Sequence, residues 1–467
     1  MVILEKRRQF ESRWKIWKCW SILIAAAFTT VALAEPVHLD RKGEKWAAST
    51  LRKMSLEEKI GQLIMPWARI EFENVNGPKY LLLREEMDKY HVGGFGVTVF
   101  VDNGALMKSE PLEAAALTNN LQKDSKYPLL FAADFERGLA MRLSGSTAFP
   151  AAMAFGATGD KDFSTQFGRI TAREARAVGV QWNWFPVADV NSNPANPIIN
   201  TRSFGEDPAQ VAEMVSAYII GARSEGLLTT VKHFPGHGDT DTDSHLTLAR
   251  VHVGLDRLNT VELVPFRAAI AAGVDSVMMA HITVPAIEPN PDLPASISKK
   301  VVTGLLKEQL GFKGLVITDA LDMGALMQAF PGNATQVSAA EAVAAIQAGN
   351  DMVIIPADLG GAYNGLLEAV KSGTIPERRI DESVLKILRV KASVGLNRKR
   401  TVDLAAVTEE VGRPENIAVA QKIADRSVTL VKDTHGLLPL RTTVPSKVAT
   451  GSAQAGADMV AVVFSDD

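Results

Sequence analysis

The chain has 467 residues, a formal net charge of −3, 46% hydrophobic residues and 22% charged ones. That length suits one large or two medium domains, and the composition supplies a normal core and excludes extended disorder. So small a net charge gives no electrostatic case for nucleic-acid binding, and a single cysteine excludes a disulfide framework.

The first 34 residues stand apart. Lys6, Arg7, Arg8, Arg13, Lys15 and Lys18 precede an apolar stretch from Cys19 to Ala34. The stretch is shorter than the roughly 20 residues a spanning helix needs, and it ends in the small-residue pattern Ala32–Ala34 before Glu35. Residues 1–34 are therefore read as an export signal cut after Ala34, with an uncleaved membrane anchor as the alternative. Export would place the chain in the periplasm or the medium. The only cysteine, Cys19, would leave with the signal.

After the leader, eight short apolar runs alternate with helix-compatible segments. They are "IGQLIMPW" from Ile60, "VGGFGVTVF" from Val92, "YPLLFAADFE" from Tyr127, "VQWNWFPVADV" from Val180, "LLTTVKHF" from Leu227, "SVMMAHITV" from Ser276, "GLVITDALD" from Gly314 and "DMVIIP" from Asp351. Between them lie alanine-rich stretches such as "AAEAVAAIQAG", often closed by glycine. Near-continuous apolar strands separated by helices predict a parallel sheet covered on both faces. Eight units over residues 35–400 fit an α/β fold of the (β/α)8 TIM-barrel type. An open doubly wound sheet is the alternative, but no Gly-rich dinucleotide or Walker fingerprint follows any strand. A polar stretch, 401–413, reads as a linker. From Pro414 a helix running into a strand suggests the beginning of a second, incomplete α/β domain over 414–467, which either packs on the barrel or is truncated.

In a barrel, chemistry gathers at the C-terminal ends of the strands. Polar residues end five of the runs: Asp134 and Glu136, Asp189, Lys232 and His233, His281, and Asp319. Each aspartate is equally a candidate N-cap for the next helix. The densest cluster is "KHFPGHGDTDTDSH", residues 232–245. His233 and His237 are four apart, but Pro235, Gly236 and Gly238 forbid the helix that would make this a metal-ligand spacing. The aspartates argue against a phosphate cradle. In an extended segment Asp243 and His245 share a side, and a carboxylate beside an imidazole makes an acid–base pair active near neutral pH. A solvated loop with incidental charges is the competing reading. In "ITDALDM", Asp319 is a candidate nucleophile at a barrel mouth or a cap. No G-x-S-x-G elbow is present.

These motifs, with "RSFGEDP" upstream, resemble glycoside hydrolase family three, and within it the β-N-acetylhexosaminidase branch, from about Met54 onward. The resemblance implies a TIM-type barrel, retaining hydrolysis of terminal β-linked N-acetylglucosamine, and no metal or other cofactor. On matching positions it implies that Asp319 is the nucleophile and His245 the general acid/base, oriented by Asp243. It further implies that Lys232 and His233 grip sugar hydroxyls, and that Asp134 and Arg142, in "DFERGLAMR", and Arg202 hold the same sugar. His237 is expected to support the loop backbone. The partner implied is an amino-sugar oligosaccharide, a muropeptide or a chitin-type fragment, with membrane contact only if the leader stays uncleaved. The sequence sets no oligomeric state. A phosphorylase using phosphate in place of water, and a non-catalytic wall-binding protein, remain alternatives.

Overall fold

The computed structural model describes residues 39–102, 105–244, 248–327 and 329–434; the expected export signal and His245 lie outside them. Nine strands form one sheet: β1 (Ile64–Met65), β2 (Trp67–Arg69), β3 (Gly94–Thr98), β4 (Leu130–Ala133), β5 (Trp182–Asn183), β6 (Leu228–Phe234), β7 (Ser276–Met279), β8 (Leu315–Ala320) and β9 (Met352–Ile354). Every pairing between them is parallel, in the order β1-β9-β8-β7-β6-β5-β4-β3-β2. The two ends of that order are joined by Pro66 alone. Ile355 N–H donates to the Met65 carbonyl and Gly96 N–H to the Pro66 carbonyl, so one short segment closes the ring from both sides. The result is a (β/α)8 barrel. The first expected run supplies both β1 and β2, split where proline lacks the N–H a ladder needs.

Side-chain alternation along the strands sorts the core. Leu130 and Ala132 of β4 cluster with Trp182, Leu228, Met278, Leu315 and Ile317. Their neighbours Phe131 and Ala133 cluster instead with Phe95, Val97, Val231, Val277 and Val316. The first set fills the barrel and the second meets the helices, as period-two alternation requires. "SVMMAHITV" does not stay one strand: after Met279 the chain leaves the barrel, and Ile282–Thr283 pairs with Ala249–Arg250.

Helices begin where capping chemistry allows. Asp40, Asp160, Asp207, Asp358 and Asp403 each accept a first-turn backbone N–H, and Ser55 and Asn333 form reciprocal capping boxes. The strand-end aspartates 134, 189 and 319 are not among these caps. Under the loops that follow β4 and β5 lies an aromatic cluster, with ring centroids 4.6 Å apart for Phe149–Phe167, 4.8 Å for Phe155–Phe167 and 5.9 Å for Phe185–Phe204. Such pairs add about 0.5–1.5 kcal/mol each beyond burial, and Phe149 and Phe204 follow closely on Arg142 and Arg202.

The expected linker contains the helix Leu404–Glu410, and the helix Pro414–Ser427 packs on Ala152–Thr158 and Lys161–Ala177, burying Ala420 and Ile423. The described part of this piece packs on the barrel's helices. Val428–Asp433 forms no strand, and Val428 and Val431 are exposed. Among the described residues, no helix is long and apolar enough to cross a membrane.

Candidate active site

Alternation decides which strand-end groups face inward. Asp134 continues the column Leu130–Ala132, Lys232 the column Leu228–Thr230, and Asp319 the column Leu315–Ile317, so three polar residues top columns whose lower members fill the barrel. A cavity of about 1240 Å³ opens above them. Its polar wall holds Asp134, Glu136, Arg142, Arg202, Lys232, His233 and Asp319. Its apolar lining includes Trp67, Trp184, Met278 and Ile354. Gly96 makes this lining possible: a Cβ there would lie 2.7 Å from the Trp184 ring and 3.0 Å from Trp67.

The wall is a network of charge pairs. Lys232 Nζ lies 2.7 Å from Asp134 Oδ1 and 2.7 Å from Glu136 Oε1. Arg202 donates from Nε and Nη2 to the two Glu136 oxygens, both at 2.9 Å. Arg142 Nη2 stands 3.6 Å from Asp134. Burial alone would raise the Glu136 carboxyl and lower the Lys232 amine. Arg202 and Lys232 instead hold Glu136 well below the usual carboxylate range, while Asp134 and Glu136 keep Lys232 raised. Glu136 and Lys232 are therefore both charged at neutral pH.

Lys232 and His233, adjacent in sequence, both line the cavity; the peptide between them is cis. His233 Nδ1 is 2.7 Å from Asp189 Oδ2 and Nε2 is 3.4 Å from Arg202 Nη2. A guanidinium only donates, so Nε2 accepts and the His233 proton sits on Nδ1, facing Asp189. Asp189 itself is fully buried, and its carboxyl is held low, against burial, chiefly by His233.

Asp319 accepts the Ala320 N–H at 2.9 Å. Burial pushes its carboxyl up, but the His233 and His281 imidazoles, the Ala320 N–H and Lys232 together bring it below its ordinary value. It is an ionised carboxylate at the cavity wall, suited to nucleophilic attack. His281 lies within hydrogen-bond distance of the Ala320 carbonyl, 3.0 Å from Nε2, and of Ser296 Oγ, 2.7 Å from Nδ1, bracing the backbone beside Asp319. Two donors in the lining, Arg142 Nε and Trp184 Nε1, have no hydrogen-bond partner among the described residues.

The structure thus brings together Asp134, Arg142, Arg202, Lys232, His233 and Asp319. Asp243 is half-buried at the end of the 232–244 loop, and His245 lies outside the described residues. Within that loop His233 and His237 have ring centroids 6.0 Å apart, and among the described residues no group of histidine, cysteine and carboxylates is placed to hold a metal ion. Two parts of the site go beyond the expected contacts. Glu136, in sequence only a strand-end group, pairs with both Arg202 and Lys232. Trp184 was signalled by the alternation in "WNW", which places it in the same interior column as Trp182.

Comparison with known proteins follows the same lines. Residues 55–390 match the Glycosyl hydrolase family 3 N terminal domain model. A "Beta-N-acetylglucosaminidase/beta-glucosidase" from Cellulomonas fimi is 33% identical over 416 residues, 87% of this chain and 70% of the relative. The solved glycoside hydrolase family 3 beta-N-acetylglucosaminidase from Paenibacillus sp. str. FPU-7 is 36% identical with a TM-score of 0.71, covering 80% of this chain and 69% of that one. A solved beta-glucoside phosphorylase bound to 2FGlc is 30% identical with a TM-score of 0.79, covering 88% and 72%.

Proposed function

The chain belongs to glycosyl hydrolase family 3, and on that premise we propose that it is a retaining exo-β-N-acetylglucosaminidase acting on muropeptide or chitin-type oligosaccharides. The observation that carries this reading is the ionised Asp319 carboxylate at the end of an interior strand column, facing the charged wall of a sugar-sized cavity.

In the proposed cycle, Asp134, Lys232, Arg202, Arg142 and His233 hold the terminal sugar, their fixed charge pairs leaving little reorganisation to binding. Asp319 attacks the anomeric carbon as the bond to the leaving oxygen breaks, and protonated His245 gives that oxygen its proton. A glycosyl-aspartate results. Neutral His245 then takes a proton from water, whose oxygen attacks the anomeric carbon and frees Asp319. Asp243 orients the imidazole and stabilises its charged form. The unpartnered donors Arg142 Nε and Trp184 Nε1 favour a ligand rich in acceptor oxygens. The leader, read as an export signal cut after Ala34, supports action in the periplasm or medium on cell-wall fragments, and 414–467 is read as the start of a further domain.

A second reading has a specific observation behind it: the phosphorylase among the solved neighbours shares this scaffold at a TM-score of 0.79. The test is a product assay on a chromogenic β-N-acetylglucosaminide, chitobiose and purified muropeptides, with and without phosphate. Free N-acetylglucosamine is the expected product in both conditions; a dominant sugar 1-phosphate would replace hydrolase by phosphorylase. Asp319→Asn should lower kcat by about 10³-fold or more, and an active Asp319→Asn variant would remove Asp319 as nucleophile.

A further inference from the structure

A buried chain of hydrogen bonds runs from the sugar-holding wall to the end of the 232–244 loop. Asp189 is its root. Oδ2 meets His233 Nδ1, and Oδ1 accepts the His237 backbone N–H at 2.6 Å. The His237 ring, 2% exposed, bridges within its own loop: Nδ1 lies 2.7 Å from Thr240 Oγ1 and Nε2 lies 2.8 Å from Ser244 Oγ.

The proton positions in this chain are determined. Thr240 has one hydroxyl proton and gives it to the His237 carbonyl at 3.0 Å, so its oxygen accepts from His237 Nδ1–H. That leaves the lone pair on Nε2, to which Ser244 donates. Burial, the largest influence, brings the His237 imidazole down to about 4, so the ring is neutral at pH 7 and keeps this polarity. Asn196 closes the arrangement from outside the loop, donating to the His237 carbonyl at 2.9 Å and to Thr240 Oγ1 at 3.3 Å. Gly236 and Gly238 let the loop come this close: a Cβ on Gly238 would lie 1.7 Å from the Val190 carbonyl oxygen, and one on Gly236 2.8 Å from Glu262 Cβ.

We propose that Asp189, His237 and Ser244 form a positioning relay that fixes the end of the 232–244 loop, and with it Asp243, in register with the sugar-holding His233. This rests on the reading of His245 as the proton donor. Ser244 directly follows Asp243 and directly precedes His245 in sequence, so its buried hydrogen bond to His237 anchors the chain at the point between the two expected members of the acid–base pair. Proton transfer requires donor and leaving oxygen within hydrogen-bond reach, and a loosened loop loses that while leaving the sugar site assembled. Asp189 makes the coupling direct, because one carboxylate orients both the ring that touches the sugar and the backbone that anchors the loop.

The test is the dependence of kcat/KM on the leaving group, across aryl β-N-acetylglucosaminides from 2,4-dinitrophenyl to unsubstituted phenyl. The first needs no proton at departure and the second does. Ser244→Ala and His237→Gln should lower kcat/KM on the phenyl glycoside by roughly 10- to 100-fold and on the dinitrophenyl glycoside by less than about 3-fold. Inhibition by N-acetylglucosamine should stay unchanged, and azide, an acceptor that needs no base, should restore kcat on the dinitrophenyl substrate. Ser244→Ala removes a single hydroxyl, so it keeps the question open if His237→Gln fails to fold. His245→Ala serves as the reference for lost proton donation. If it steepens the leaving-group dependence and Ser244→Ala does not, the relay is wrong and the functional reading survives. If His245→Ala does not steepen it, the proton donor is misassigned and the relay falls with it.

Discussion

Glu136 carries two cations on one carboxylate, and its removal is therefore more costly than its absence from the expected sugar contacts suggests. Gln at this position would keep the shape and lose the charge, leaving Lys232 and Arg202 short of compensation in a buried wall. Breaking one partner of such a network costs on the order of 3–5 kcal/mol when fully buried, and less here because the Arg202 side chain is 27% exposed. Glu136→Gln is expected to lower stability by about 2–4 kcal/mol and raise KM at least tenfold, with kcat less affected. Its folded pKa lies below the ordinary 4.5. The stability it confers is thus present above about pH 4.5 and is lost as pH falls through the folded value. Urea melts at pH 7 and pH 3 check both points; an unchanged difference between wild type and variant at the two pH values would show that the charge is not what matters. Residues such as Asp134, Lys232 and Asp319 were legible because strand alternation and the strand-end rule apply locally. Glu136 was not, since its meaning comes from Arg202, 66 residues further along.

Among the elements, the helix Ala334–Ala348 was readable from its alanine content, but not what one of its residues does. Glu341 is fully buried, and neither carboxylate oxygen has a hydrogen-bond partner among the described residues. Burial pushes its carboxyl up to about 8, with the Asp322 charge adding to the effect. The unfolded chain releases this proton near pH 4.5, whereas the folded chain keeps it until about pH 8. Folding is therefore penalised progressively between those values, by about 1.4 kcal/mol per pH unit. Gln mimics the protonated group without that penalty. Glu341→Gln should match wild type near pH 4.5 and exceed it by roughly 3–4 kcal/mol at pH 7, read as a Tm difference that grows with pH. A constant Tm difference across the range would mean that Glu341 does not hold its proton. The strands show a parallel limit. "VQWNWFPVADV" reads as one long strand, yet continuous strand pairing is confined to Trp182–Asn183, with a single further bridge from Val187 to Lys232. Pro186 has no N–H to offer, and past the bridge at Val187 the chain runs on to place Asp189.

At the scale of the whole molecule, eight strand positions were legible because apolar runs and helix-forming stretches alternate so regularly. Closure through Pro66 was not, because it depends on which strands meet across the ring. The role of the segment after the barrel was equally hidden, and it reaches the site through one buried carboxylate. Glu174 accepts Thr147 N–H at 3.2 Å and Thr147 Oγ–H at 2.6 Å, and from the far segment Gly412 N–H at 3.1 Å and an Asn416 amide hydrogen at 3.4 Å. Thr147 closes the loop that begins with Arg142, so residues 412–416 back the wall on which Arg142 stands. Gly412 fits only without a side chain, since a Cβ would lie 2.2 Å from the Gly145 carbonyl oxygen. Ending the chain at Val411 would remove two of the four donors to buried Glu174 and uncover Phe163, over whose ring Lys422 lies. Losing that burial and those hydrogen bonds corresponds to a few kcal/mol, a fall in Tm of roughly 3–6 °C for a domain of this size. Arg142 loses its backing while Asp319, Lys232 and Arg202 keep theirs. KM for the aryl N-acetylglucosaminide should therefore rise several-fold while kcat changes little. Calorimetry and steady-state kinetics on the shortened chain decide it: if Tm falls but KM holds, the segment stabilises the barrel without shaping the sugar site.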